Sequence, residues 1–300
     1  MADFRCDQAA GLRRLLTPRA LRVVSFASGA AGVGKTTVVA NTAVALARQG
    51  LEVLVVDENA PSDLGAFFGL KATGDLLQVI NRQRELESVL FSPLPGLSIL
   101  PAGEAAQQLG RLSERQKKGL RESLHALVPD VILIDATLAR DQGFSPWGLA
   151  AGEVVMVVSA SGEAITEAYA LIKKISLAFS RRRFRILVNR VRQPEEGRRI
   201  FANLKTVAAK SGVAHLEYSG VVPLDTALEQ VGRLVAPVVD LLPDAPAARA
   251  LSAFASALPH WPGIEGEPAG GVEQFLEHLL NFVGRQKAGS GKRFLSCGLC

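Results

Sequence analysis

Two kinds of hydrophobic pattern alternate along this chain from Leu21 onward. One is a continuous apolar run of strand length, at 22–28, 52–57, 97–101, 131–136, 153–159, 184–189 and 216–222. The other is an apolar stripe of helical period, clearest over 36–49, 113–127, 164–179 and 196–211. A strand with one wet face alternates apolar and polar residues. Unbroken runs such as Val53-Leu54-Val55-Val56 instead fit strands covered on both faces. Such strands separated by helices predict an α/β fold with a mainly parallel sheet of about seven strands and helices on both faces. Ligands of such sheets bind beyond the carboxyl ends of the strands.

The flanks read differently. In residues 1–18, Phe4, Leu12, Leu15 and Leu16 fall on one side of a helix that Asp7 can cap and Pro18 stops. Residues 259–271 are rich in Pro and Gly and read as a linker. After it, Val272, Phe275, Leu276, Leu279, Phe282 and Val283 recur at helical spacing, with Glu273, Gln274, Glu277 and Asn281 opposite. Residues 288–296 are Gly, Ser and basic. The expected organisation is an N-terminal helix (1–18), a main domain (19–258), the linker, and a C-terminal amphipathic helix with a basic tail (272–300). Burying Phe275, Leu276, Leu279, Phe282 and Val283 in an interfacial layer, with Arg285, Lys287, Lys292 and Arg293 near anionic headgroups, predicts reversible membrane binding. Folding of that helix back onto the core is the alternative.

The chemistry concentrates after the first strand, in Gly29-Ala30-Ala31-Gly32-Val33-Gly34-Lys35-Thr36-Thr37. Gly29, Gly34, Lys35 and Thr36 fit G-x-x-x-x-G-K-[ST] in full, between a strand and a helix. Small residues let successive backbone N–H groups curl round a phosphate, and the helix N-terminus adds a favourable dipole. Lys35 then reaches the β- and γ-phosphates, and the Thr36 hydroxyl holds Mg²⁺. The expected ligands are ATP or ADP with Mg²⁺. Two further strand-like runs end in acids, at Asp57 and Asp135. A strand-end Asp alone is often only a turn cap, but beside a phosphate loop the metal shell is the favoured role for both.

Composition narrows the class. The 300 residues are 48% hydrophobic, with a formal net charge of +5 and a pI near 9.3, a mild excess for a nucleic-acid binder. The charge is uneven, since Arg181, Arg182, Arg183, Arg185, Arg190 and Arg192 crowd one region, as a solvated face or as a binding patch. Cys6, Cys297 and Cys300 lie at the ends, so no disulfide framework is expected, and the Cys297–Cys300 spacing lacks the second pair that a metal site needs. A signal peptide's apolar core and a membrane-length apolar run are both missing from the sequence. His125, His215, His260 and His278 share no ligand spacing, and Trp147 and Trp261 read as packing anchors.

The phosphate loop, the acids Asp57 and Asp135 and the strand rhythm resemble the MinD/ParA branch of P-loop ATPases. Asp7-Gln8-Ala9-Ala10-Gly11-Leu12-Arg13 further resembles the N-terminal D-Q-A-x-x-L-R element of the FlhG (FleN, YlxH) proteins that control flagellar number and placement. Ile165–Lys173 is similar to that family's helix after the fifth strand. Leu187-Val188-Asn189-Arg190-Val191 and Val222-Pro223-Leu224-Asp225 are similar to its adenine-side loops, and Pro246–Leu251 to its closing helix. The resemblance implies a cytoplasmic switch that binds ATP, dimerises and sits reversibly on the inner face of the cell membrane. It also implies adenine-side residues Asn189, Arg190, Pro223 and Asp225. Asp7, Gln8, Ala9, Leu12 and Arg13 would contact an FlhF-like GTPase, and a flagellar transcription activator is a further partner. Specific DNA binding is not expected.

Three positions depart from the family pattern. Ala30 stands where the family has a second lysine. Asn59 stands at the water-orienting acid of its D-x-D motif, and Asn cannot accept a proton at neutral pH. Ala136-Thr137-Leu138 replaces a glycine-containing switch. Lys35 and Asn59 are thus the catalytic candidates of a site whose binding is intact and whose hydrolysis is impaired. A nucleotide-bound, non-enzymatic scaffold and a division-site or DNA-partitioning ATPase are the alternatives.

Overall fold

The computed structural model describes residues 21–137, 144–226, 228, 236–262 and 271–290. Eight strands form one sheet in the order β3-β4-β2-β5-β1-β6-β7-β8. They are β1 (Arg22–Ala27), β2 (Val53–Asp57), β3 (Phe91–Leu94), β4 (Leu97–Pro101), β5 (Val131–Asp135), β6 (Glu153–Ser159), β7 (Arg183–Val191) and β8 (His215–Pro223). All neighbours run parallel except β3, which pairs antiparallel with β4. The seven apolar runs of the sequence are the seven other strands. The added strand, Phe91-Ser92-Pro93-Leu94, lacks their signature because it is a short edge strand, where a proline is tolerated.

The principal helices are α1 (Lys35–Arg48), α2 (Asp63–Phe67), α3 (Glu114–Leu124), α4 (Pro146–Ala150), α5 (Gly162–Phe179), α6 (Pro194–Lys210), α7 (Pro246–Ala257) and α8 (Val272–Ser290). The central strands are buried on both faces, which is why they read as unbroken apolar runs. On one face lie α1, buried continuously from Val38 to Ala47, and α7, through Leu251 and Phe254. The core on the other face gathers Leu76–Ile80, α3, α4, α5 and α6.

The C-terminal helix belongs to that second core, the alternative that the sequence left open, and so does not stand apart from the main domain. Phe275, Leu276, Leu279 and Val283 are buried in α8, together with Val272 and Leu280, while Phe282 is half-buried. The Phe275 ring lies 6.0 Å from Trp147 and the Phe282 ring 6.2 Å from Phe179. The physical reason is that α4 carries Trp147, which needs a cover, and the stripe on α8 supplies one. Burial of six apolar side chains is worth on the order of 10 kcal/mol before the entropy of ordering the helix is set against it. Among the described residues no helix is long and apolar enough to cross a membrane.

Part of the arginine cluster is spent internally, at Arg181, Arg183 and Arg185, whereas Arg182, Arg190 and Arg192 are exposed. Arg181 donates to the Gly152 carbonyl at 2.8 Å and to the Ala151 carbonyl, and Arg182 to Gly212 O at 3.1 Å. Arg183 pairs with Glu217 at 2.7 Å. Arg185 is buried between Glu153 (3.1 Å) and Glu217 (2.9 Å) and lies over the Trp261 ring at 4.1 Å. Trp147 and Trp261 are packing anchors, the latter edge-on to Phe254 at 5.6 Å.

Candidate nucleotide-binding site

The loop 29–37 joins β1 to α1 at the carboxyl edge of the sheet. A side chain at Gly29 would collide with the α5 backbone, since a Cβ there would lie 2.3 Å from the Glu167 carbonyl carbon. Gly34 has φ +87°, and a Cβ on it would lie 2.5 Å from Asn189 Nδ2. The two glycines of the motif are therefore required by close approach and by backbone conformation respectively. Ala31 and Gly32 are exposed, Ala30 is half-buried and Val33 anchors the loop in the core.

Lys35, Thr36 and the strand-end acids converge. The Lys35 ammonium donates to Asp135 Oδ1 and, at 2.7 Å, to the Ala136 carbonyl. Thr36 Oγ1 donates to Asp135 Oδ2 at 2.8 Å. Parallel pairing of β2 with β5 puts Asp57 directly opposite Asp135. Asn59 Nδ2 bridges them, donating to Asp57 Oδ1 at 2.8 Å and Asp135 Oδ2 at 2.9 Å. Asp57 accepts three further bonds, from the Asn59 N–H (3.0 Å), Ser62 Oγ (2.6 Å) and the Leu64 N–H (3.1 Å). Burial, and then the Asp135 charge, push its carboxyl above the usual carboxylate range, although the Ser62 and Asn59 bonds oppose this. Asp57 thus organises the turn into α2, the capping role weighed for strand-end acids, and adds negative charge to the site.

Mg²⁺ suits this donor set. The Thr36 hydroxyl and Asp135 carboxylate are adjacent hard oxygens and are the groups that would hold it, with phosphate oxygens and waters completing the shell. Such an ion neutralises phosphate charge when bound. Among the described residues there is no cluster of three or more His, Cys, Asp or Glu that could hold a metal alone.

The adenine-side residues divide. Arg190, Pro223 and Asp225 line a cleft of about 200 Å³ beside Thr37, with Phe67 and Val238 among its apolar walls. Asn189 is buried behind it: Nδ2 donates to the Val33 carbonyl at 2.8 Å and Oδ1 accepts the Arg190 N–H at 3.0 Å. Its polar atoms hold the phosphate loop rather than facing the cleft, because β7 ends directly under that loop. Arg190, in the left-handed region at φ +59°, reaches the Gly32 carbonyl at 2.8 Å. Asp225 also accepts the Ala247 N–H at 3.0 Å, at the start of α7.

Sequence reasoning missed Glu58. It is 3% exposed, and burial raises its carboxyl to about 7 despite bonds from Ser145 and Thr137. Its Oε2 accepts the Thr137 N–H at 2.9 Å and its Oε1 accepts the Ser145 hydroxyl. A glutamate beside a strand end is usually solvated, so the only sequence signal was its place in Asp57-Glu58-Asn59. The proposed partner residues Asp7, Gln8, Ala9, Leu12 and Arg13, the switch residue Leu138 and the terminal cysteines lie outside the described residues.

Comparison with known proteins agrees with this geometry. The family model for the CobQ/CobB/MinD/ParA nucleotide binding domain matches residues 24–238. The antiactivator FleN of Pseudomonas aeruginosa is 32% identical over 263 residues, 87% of this chain and 94% of FleN. The flagellum site-determining protein YlxH of Helicobacter pylori is 26% identical over 275 residues, 88% of this chain and 91% of YlxH. Among solved structures, the MinD cell division protein of Aquifex aeolicus superposes with a TM-score of 0.61 at 25% identity, covering 80% of this chain and 98% of that one.

Proposed function

The chain belongs to the CobQ/CobB/MinD/ParA nucleotide-binding family and, within it, to the FleN/YlxH group, and on that premise we propose that it is a MinD-like ATP-binding switch regulating flagellar number, placement and gene expression. The observation that carries the nucleotide half of this reading is the convergence of Lys35 and Thr36 on Asp135 beside the Arg190–Pro223–Asp225 cleft. The flagellar half draws support from the similarity to FleN and YlxH along nearly the whole chain.

In this reading ATP or ADP with Mg²⁺ occupies 29–37 and the cleft. The N-terminal Asp7–Arg13 element engages an FlhF-like GTPase, and a flagellar transcription activator and a second copy of the chain are further partners. The protein works in the cytoplasm and at the inner face of the membrane, where α8 would have to leave Trp147 before its apolar face could meet lipid. The deciding experiment removes the gene and counts flagella and flagellar transcripts. Wild-type protein should restore both and Lys35→Ala neither, with Lys35→Ala also losing nucleotide binding by calorimetry. Normal flagella without the protein, or full rescue by Lys35→Ala, would refute the reading.

A second reading, the nucleotide-bound scaffold without turnover, is favoured by Asn59. Its amide donates to both acids, so the side chain is oriented as a donor and has no basic atom for water.

A further inference from the structure

One peptide group links the phosphate-binding lysine to the buried glutamate. The Ala136 carbonyl accepts from Lys35 at 2.7 Å, and the Thr137 N–H of the same peptide donates to Glu58 at 2.9 Å. In a trans peptide these two groups point in opposite directions. With the N–H turned to Glu58, the group facing the lysine is an acceptor. Lys35 is also the side chain that reaches the β- and γ-phosphates. A terminal phosphate oxygen arriving there meets, from this peptide, a carbonyl oxygen in place of an N–H.

Reversing the peptide would supply the missing donor, and several features oppose it. It would break both bonds and leave a carboxylate that is 3% exposed short of a partner. It would also drive Thr137 toward positive φ, which a β-branched residue strongly resists. Non-glycine positive φ among the described residues is confined to Arg82, Ser180 and Arg190. The flanking Ala136 N–H is fixed to the Phe26 carbonyl at 3.1 Å. Glu58 is itself pinned, since its N–H donates to the Asp135 carbonyl at 3.4 Å and its other oxygen accepts from Ser145. The Ser145 hydroxyl in turn caps α4 at the Trp147 and Gly148 N–H groups, at 3.1 and 3.4 Å.

We propose that Glu58 is a positioning residue that locks the Ala136–Thr137 peptide carbonyl-inward, so that this peptide offers a third phosphate no donor and the site takes nucleoside diphosphate and triphosphate with near-equal affinity. This rests on the nucleotide reading above.

Calorimetry on the full chain with Mg-ADP and the Mg complex of a non-hydrolysable β,γ-imido ATP analogue tests it. The wild-type affinities should differ by less than about fivefold, and Glu58→Met with Thr137→Gly should raise the preference for the triphosphate by about fivefold or more. A larger wild-type preference, or a smaller rise in a variant with native circular dichroism, overturns the proposal. If the double variant does not fold, Thr137→Gly alone is read against the same threshold. Failure of both nucleotides to bind the wild type would instead refute the nucleotide reading, a distinct result.

Discussion

Asn189, the residue before the left-handed Arg190 on β7, donates to the Val33 carbonyl at the turn of the phosphate loop, 2.8 Å away and 156 positions earlier in the chain. The bond ties the loop to a strand two places across the sheet from β1.

Asn189→Ala removes that bond and the acceptor for the Arg190 N–H, leaving buried groups unpaired. The expected loss is about 1–3 kcal/mol of stability in urea unfolding, with weaker nucleotide binding as the loop loosens. Unchanged stability and affinity would show that the loop holds its shape unaided.

The buried Glu58 predicts a pH dependence. Its carboxyl titrates near 7 in the folded protein against 4.5 for an unperturbed glutamate. The folded state therefore binds more protons across that window, and stability falls as pH rises from about 4.5 to about 7, then levels off. Asp57, also raised, acts in the same sense as pH rises above its unperturbed 3.8. Urea midpoints taken without nucleotide should show this slope, and Glu58→Gln should flatten its upper part. A slope of opposite sign would mean that Glu58 is stabilised in its charged form.

Turnover should be slow beside nucleotide binding. Ala30→Lys together with Asn59→Asp should raise the ATPase rate by about 10²-fold or more, the scale of a restored base or phosphate-facing cation. The check is phosphate release under saturating Mg-ATP. A wild-type rate that the double variant does not increase would show that these positions are not limiting.

Docking of α8 on α4 predicts that its membrane affinity is masked. Phe275→Ala, which empties the contact with Trp147, should cost about 3–5 kcal/mol if the helix stays docked, or less with release of the helix. Release should appear as increased co-sedimentation with anionic liposomes, lost again when residues 272–300 are removed. Reduced sedimentation of Phe275→Ala would mean that the helix already faces lipid in the intact protein.

The local parts of this protein are legible in its sequence because they depend on near neighbours. A strand covered on both faces must be apolar throughout, so β1, β2 and β4 to β7 announce themselves, while the other edge strand, β8, is only partly buried. A loop wrapping a phosphate needs glycines and a lysine at fixed spacing, so Gly29, Gly34, Lys35 and Thr36 do the same. Edge strand β3, with its proline and half-wet surface, has no such obligation and stayed hidden.

Other features were decided by contacts between distant segments, about which periodicity is silent. An amphipathic stripe records that a helix has an apolar face but not what covers it, and Trp147 settled that for α8. Clustered arginines record charge but not pairing, and Glu153 and Glu217, each some thirty positions from Arg185, took that charge inside. Strand order set Asp57 opposite Asp135 and let Asn59 bridge them. It also brought Glu58 to the Thr137 N–H, 79 positions onward, because only parallel pairing of β2 with β5 makes those two chain positions neighbours.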